Sequence, residues 1–485
     1  MIGTLSLALR NLLRNTRRSL ATLLALAIGS SAILIFGGFS ASIRYSMLTA
    51  YVRAGGHLQV QHQDFFLYGG GNPTAYGIAN YDAVLQKISQ DPVLAEMLTV
   101  VTPMLQLGGI AGNYDAGVSR TVVGTGYVAA DINAMRKWNE YSVPLDSPNF
   151  VLQGAPQDAA IVGLGVARVL LLCEALAIKN CPQPQVEQAS KGAAMPADLM
   201  ALTEAEAKPA RTKSKLSASS RTGKPAVPAE PEPVTKGARI ELLASLGRGT
   251  PNVAALKVLA AEDQGFKEFD EVAVILHLAQ AQQLVYGRGT PRATALMVQL
   301  KHTADIPAAK ARIEALLAAS PETRPLAVRN FEELNPFYVQ TMDLFDMILG
   351  FIFVLIGGIV LFTVGNTMSA AVVERTVEIG TLRAIGLRQA GIRYLFIIEG
   401  FVLGVTGAIV GTLAAILLGL AVNQLNLTWL PPGSSERLPL NLRIWGEGNM
   451  ILGTTVGLIV IAAVSAWWPA WRAARLKIVD ALRHA

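Results

Sequence analysis

The residues best placed to act on another molecule lie in the stretch ERTVEIGTLRAIGL, positions 374–387. Glu374 and Glu378 are four apart, so on a helix they share one face, with Val373, Val377 and Ile379 offering apolar surface beside them. Gly386 suits the end of such a helix, because glycine tolerates the left-handed backbone found there. Long apolar runs flank the stretch on both sides, which predicts a short surface helix between two membrane spans. Catalytic chemistry has little to work with elsewhere. The five histidines, His57, His62, His277, His302 and His484, are scattered. His57 and His62 are five apart on a predicted strand and point to opposite faces, so no metal site is expected.

The elements that must position this stretch follow from composition. Of 485 residues, 52% are hydrophobic and 16% charged, with a mean hydropathy of +0.39. A soluble domain carries about 25% charged residues, so the chain reads as a membrane protein. The formal charge of +6 is modest, and basic residues cluster beside apolar runs. That pattern sets topology and argues against nucleic-acid binding.

Residues 1–18 read as a cytoplasmic amphipathic helix, with Ile2, Leu5, Leu9, Leu12 and Leu13 on one face and Arg14, Arg17 and Arg18 among its polar residues. Residues 19–43 are charge-free and long enough to form transmembrane helix 1. The competing reading, a cleaved leader, requires an apolar core of roughly 7–15 residues, shorter than this run. Helix 2 is placed at 344–373, the charged insert at 374–390, helix 3 at 391–424 and helix 4 at 448–468. A loop at 425–447 and a basic tail at 469–485 complete the membrane part, with Trp467, Trp468 and Trp471 as an interfacial aromatic cluster. In helix 3, Gly400, Gly404, Gly407 and Gly411 recur at spacings that let helices approach closely in lipid; a substrate groove is the alternative. Glu399, inside that run, reaches water at the cytoplasmic end or pairs with Arg393; a structural pair and a functional role both stay open.

Residues 44–343 hold no convincing span. Strands are predicted around Leu58–Val60, Arg120–Thr125, Val272–Leu276 and Leu296–Leu300, and helices near Asp82–Ser89, Ala160–Leu172, Leu278–Tyr286 and Ala308–Ala319. The fold class is therefore membrane α-helical, four transmembrane helices, with a large α+β extracytoplasmic domain inserted between helices 1 and 2. Residues 183–236 are rich in Ala, Pro, Lys, Ser and Glu and predict a disordered insertion. Cys173 and Cys181 lie just before it; they either pair in an oxidising compartment or remain two buried thiols. Arg and Lys concentrate at the N-terminal segment, the 374–393 loop and the tail. Basic loops stay inside, so both termini and the insert are expected on the cytoplasmic side.

These residues also carry a family resemblance. The segment ERTVEIGTLRAIG, the following IIEGFVLGVTGAIVG and the closing PAWRAARLKIVDALR resemble the C-terminal permease domain of MacB/FtsX-type (type VII) ABC transporters. The early LALRNLLRNTRRSLATLLALAIG resembles that family's first span, and EFDEVAVILHLAQAQQLVYG is similar to the outer domain of lipoprotein-releasing permeases. The 183–236 stretch departs from the family pattern. The resemblance implies mechanotransmission: a second permease copy or paralogue, a dimer of cytoplasmic ABC ATPase subunits that use ATP and Mg, and a periplasmic carrier or adaptor. The coupling surface carried over is Glu374, Arg375, Glu378, Ile379, Gly380, Arg383, Ala384 and Gly386. No GxxxxGK[ST] loop is present; RTGKP near Lys224 lacks the upstream glycine and the following Ser or Thr. The chain is thus expected to be a non-catalytic subunit in the inner membrane that binds no cofactor itself. It would move a lipophilic or lipidated substrate, with MacB-like efflux or FtsX-like control of a wall hydrolase as alternatives.

Overall fold

The computed structural model describes residues 16–144, 149–178, 181, 238–244, 251–265, 267–425, 427–429 and 438–478. The expected amphipathic start, apart from residues 16–18, the insertion at 183–236, and the end of the tail lie outside the described residues. Four helices are long and apolar enough to cross a membrane. We label the C-terminal helices and the first span in chain order: α1 (Thr16–Gly55), α2 (Pro336–Glu374), α3 (Thr376–Ala384), α4 (Gln389–Gln424) and α5 (Gly448–Ala474). A sheet-rich region lies between α1 and α2.

Each long helix outruns the charge-free stretch that predicts it. α1 has 40 residues and continues a dozen positions past Ile43. It stops where Gly56 takes φ +78°; a Cβ there would lie 2.8 Å from the Val298 carbonyl oxygen, so only glycine fits. α2 opens on Pro336, whose missing N–H costs nothing in a first helical turn. α5 passes through Pro469 and ends at Ala474 rather than 468.

Nine strands follow one order: β3 (Val118–Tyr127), β7 (Ala273–His277), β4 (Ala159–Gly163), β6 (Asn252–Glu262), β5 (Arg239–Ala244), β2 (Leu98–Asn113), β8 (Ala295–Leu300), β1 (Leu58–His62) and β9 (Leu326–Asn330). Because β2 also pairs with β3, the first six close into a ring. Its interior is apolar, with Leu105, Leu107, Val162, Leu242, Leu256 and Leu276 all buried. The 16-residue β2 belongs to both parts of the sheet: its far half pairs with β5 and its near half with β8. β8, β1 and β9 extend the sheet toward the membrane helices, packing against helices Tyr81–Ser89 and Ile306–Ala318 through Val60, Ile88, Val298 and Ile313.

One expected helix is too long. Within residues 160–172 only Leu164–Val169 is helical; the residues before it belong to β4, which runs through 159–163 with every residue buried. An apolar AAIVG run fits a strand covered on both faces as well as a buried helix. β4 sits between β6 and β7, which decides it.

The domain is rooted through adjacent strands. β1 continues α1, β9 leads into α2, and the two pair antiparallel from Leu58↔Asn330 to His62↔Leu326. Around the roots, Leu48, Val52, Trp138, Phe331, Tyr338 and Met342 form one apolar cluster. Arg44 pairs with Asp346 at 2.7 Å, and Arg53 donates to the Trp138 carbonyl at 2.7 Å. His57 is fully buried here; its Nδ1 accepts from the Leu300 N–H at 3.0 Å, and its ring meets Trp138 edge-on.

Burial pushes the His57 imidazole down to about 4, against a partial opposing pull from Glu140. The ring is therefore neutral in the fold but chargeable once unfolded. Its contribution is present above pH 6.5, and is lost as pH falls through about 4. The full shift corresponds to about 3 kcal/mol. His57→Asn keeps an acceptor for Leu300 but cannot charge. Thermal unfolding in detergent should show the wild type losing stability between pH 6.5 and 4.5, with a clearly shallower fall in the variant; parallel profiles would place the titration elsewhere.

Candidate functional site

α3 is a nine-residue helix, shorter than the 374–390 insert, and it follows α2 after a backbone break at Arg375. It ends in glycine chemistry: Gly386 takes φ +106° with open space around it, and the Leu387 N–H returns to the Leu382 carbonyl at 3.0 Å. One face of α3 is packed into its own chain. Ile379 is 2% exposed, set among Val372, Ile392, Phe396, Ala470 and Ala473. Gly380 is buried beside it, and Arg383 donates to the Leu476 carbonyl just beyond α5. The opposite face is open: Val377, Glu378, Thr381, Leu382, Ala384 and Ile385 are exposed, Ile385 at 80%.

Charge pairs tie this element to two spans in opposite directions. Glu374 takes a bidentate pair from Arg18 at the start of α1, with one contact at 3.0 Å. Arg375, the next residue, turns inward to Glu399 of α4 at 2.9 Å, and this pair is nearly enclosed, its side chains 11% and 2% exposed. Near the first pair, the Thr22 and Thr367 hydroxyls share a hydrogen bond of 2.7 Å between α1 and α2. The expected partner of Glu399, Arg393, is exposed. Six residues make one and two-thirds helical turns, so the two side chains leave α4 on different faces.

The eight carried-over coupling residues therefore separate. Glu378, Ala384 and Gly386 lie on the open surface with Glu374 at its edge. Ile379, Gly380, Arg375 and Arg383 hold α3 in place. Val373 and Val377, expected as apolar surface, are exposed, whereas Ile379, expected beside them, is buried because it packs against the spans; sequence reasoning missed Leu382 and Ile385, which continue the open face.

Residues 347–478 match the FtsX-like permease C-terminal family. This part of the chain is an FtsX-like permease domain. It contains α3, α4, α5 and most of α2. The macrolide export ATP-binding/permease protein MacB of Nitrobacter winogradskyi is 37% identical over 128 residues, 26% of this chain and 17% of that protein. The lipoprotein-releasing system transmembrane protein LolC of Xylella fastidiosa is 21% identical over 244 residues, 48% of this chain and 56% of the relative. The uncharacterized ABC transporter permease MJ1507 of Methanocaldococcus jannaschii is 24% identical over 217 residues, 44% and 51% of the two chains. The chain as a whole thus resembles a MacB/FtsX-type ABC permease with likeness to LolC, and the matches span from 17% to 56% of the length of these relatives.

Within the FtsX-like domain the glycines of α4 face two neighbours in turn. A Cβ on Gly400 would lie 2.5 Å from that of Ala466, and one on Gly404 2.9 Å from that of Ala462, both on α5. A Cβ on Gly407 would lie 2.5 Å from that of Leu26, and one on Gly411 2.6 Å from that of Ser30, both on α1. The stripe is filled by helix backbones, leaving no groove along it. Ser31 adds a hydrogen bond to the Gly411 carbonyl at 2.8 Å. At the end of α5, the Arg475 guanidinium stacks 3.7 Å from the Trp471 ring and Arg472 lies over Trp468.

Far from this domain, a disulfide joins Cys173 and Cys181, whose Cα atoms are 6.0 Å apart. Among the described residues no three His, Cys, Asp or Glu side chains converge as a metal set.

Glu399→Ala should remove the carboxylate paired with the enclosed Arg375 and destabilise the protein by about 3 kcal/mol. Arg375→Met combined with Glu399→Leu should recover most of that loss. A double-mutant cycle read by thermal unfolding checks the coupling; strictly additive effects would show that the pair does not act as a unit.

Proposed function

We propose that this chain is the permease subunit of an ABC transporter working by mechanotransmission. A dimer of separate cytoplasmic ATPase subunits grips the open face of α3, and ATP hydrolysis there is read out as movement of the sheet domain on the other side of the membrane. The carrying observation is the two-faced state of α3: one face is locked to α1, α4 and α5 by packing and charge, while the other presents Val377, Glu378, Leu382 and Ile385 to solvent. An element held this stiffly passes on a push that a loose polar loop would dissipate.

In this reading the protein sits in the cytoplasmic membrane with both termini inside, as the placement of basic residues favours. A second permease copy or paralogue completes the unit, since α2 leaves a broad apolar face uncovered, including Phe351, Val354, Leu355 and Phe362. ATP and Mg are bound by the partner, and a periplasmic carrier or adaptor receives the cargo. The likeness to LolC supports a lipophilic or lipidated substrate; a MacB-like efflux role or an FtsX-like regulatory role would differ in what accompanies the sheet domain.

Two measurements test this. Ile385→Asp with Val377→Asp should leave membrane insertion and thermal stability close to wild type but reduce ATPase co-purification at least tenfold. Undiminished co-purification would sink the assignment of the coupling face. Tyr114, 84% exposed in the β2–β3 turn, supplies the orientation test. A cysteine there should react with an impermeant maleimide in cells with a permeabilised outer barrier; reaction only after lysis would reverse the topology.

A further inference from the structure

Among the described residues, a cavity of about 430 Å³ opens where α1 and α4 meet the sheet domain. The volume falls within the roughly 300–1,000 Å³ typical of ligand sites. Neither the α3 surface nor the glycine stripe uses it. Ile416 and Leu420 of α4 give it an apolar side, while Ser42 and Ser46 of α1 line it with hydroxyls. The charge-free run of α1 ends at Ile43, so the cavity sits at the boundary between bilayer and water. Trp445 stands at its edge, 77% exposed, a residue type favoured at that depth.

Arg443 enters the cavity from the segment before α5. Its backbone N–H donates to the Gly38 carbonyl of α1 at 3.0 Å. The preceding Leu442 is clasped by Asn423 of α4, which accepts from its N–H at 2.7 Å and donates to its carbonyl at 3.1 Å. The guanidinium lies over the Tyr45 ring at 4.6 Å and donates Nη1 to the Tyr141 carbonyl at 2.5 Å. Its Nε is buried and has no hydrogen-bond partner among the described residues. The nearest carboxylate, Glu447, stands 3.6 Å away, too far for a hydrogen bond, and accepts from Tyr45. The Arg443 side chain as a whole is 36% exposed, so its guanidinium presents positive charge to the cavity it lines.

We propose that this cavity holds one amine-bearing phospholipid of the leaflet on the sheet-domain side. The lipid phosphate accepts from the exposed end of the Arg443 guanidinium, and the ammonium lies toward Glu447. An acyl chain runs along α4 past Ile416 and Leu420. Arg443 and Glu447 together carry no net charge, so the site favours a zwitterion over an anionic headgroup. The bound lipid joins α1, α4 and the segment before α5 at the base of the domain. This inference rests on the helices crossing a bilayer and not on the transport role.

The test uses the full chain in nanodiscs of phosphatidylethanolamine or phosphatidylglycerol, transferred to detergent and read by native mass spectrometry. Wild type should retain one phosphatidylethanolamine per chain, several-fold over phosphatidylglycerol. Arg443→Ala and Ser46→Trp should each reduce retention at least tenfold. Ser46→Trp fills the cavity without removing the contacts of Arg443, and so decides the matter if the arginine variant fails to fold. Soluble phosphoethanolamine should not displace the lipid; displacement would mean that the acyl chain contributes nothing and would overturn a membrane-lipid site. Equal retention by wild type and Ser46→Trp, or phosphatidylglycerol held as tightly as phosphatidylethanolamine, would overturn it as well.

Discussion

The antiparallel pairing of β1 with β9 is the constraint on which the remaining architecture depends. These strands are direct extensions of α1 and α2, so the two spans and the sheet share continuous backbone with only short turns between. Strand pairing fixes their separation and register, and the apolar cluster from Leu48 to Met342 fills the angle they make. Neither span can shift along its axis without shearing the ladder or opening that cluster. Gly56 and His57 sit at the tightest point, one allowing the Val298 backbone to approach, the other satisfying the Leu300 N–H.

At the opposite end, order comes from charge and small residues. Glu374 and Arg375 are sequence neighbours, yet one holds α1 and the other α4. The break at Arg375 permits this, because a continuous helix would separate consecutive side chains by about 100° only. The glycine stripe then draws α4 against both α5 and α1. The FtsX-like domain is thus a set of helices locked around α4, with α3 packed on one face and open on the other.

The helices were legible because bilayer physics writes long charge-free runs, and α4 advertised its close packing through Gly400 to Gly411. Their ends were less legible, since helix continues past the apolar run wherever packing supports it, as in α1 beyond Ile43 and α5 through Pro469. In the domain, β1 stood out by its alternation of Leu58 and Val60 with Gln59 and Gln61, and β7 by its Val274–Ile275–Leu276 run. β2 did not, because Pro103, Gly108 and Gly109 disguise a strand whose partners on both sides supply its stability. β6, with its run of alanines, lacks intrinsic strand preference for the same reason. The partner of Glu399 could not be read at all, because pairing across helices depends on how they rotate against one another.

The length of α1 has a geometric effect that the fold alone does not display. Forty residues at about 1.5 Å each make a rod of about 60 Å, twice the roughly 30 Å hydrocarbon core. Pivoted near one end, such a rod turns a tilt of 5° into a sweep of about 5 Å at the other. Rearrangements no larger than a side chain, made beside Arg18, are therefore enough to carry the roots of the sheet across a distance as wide as the gap between neighbouring strands.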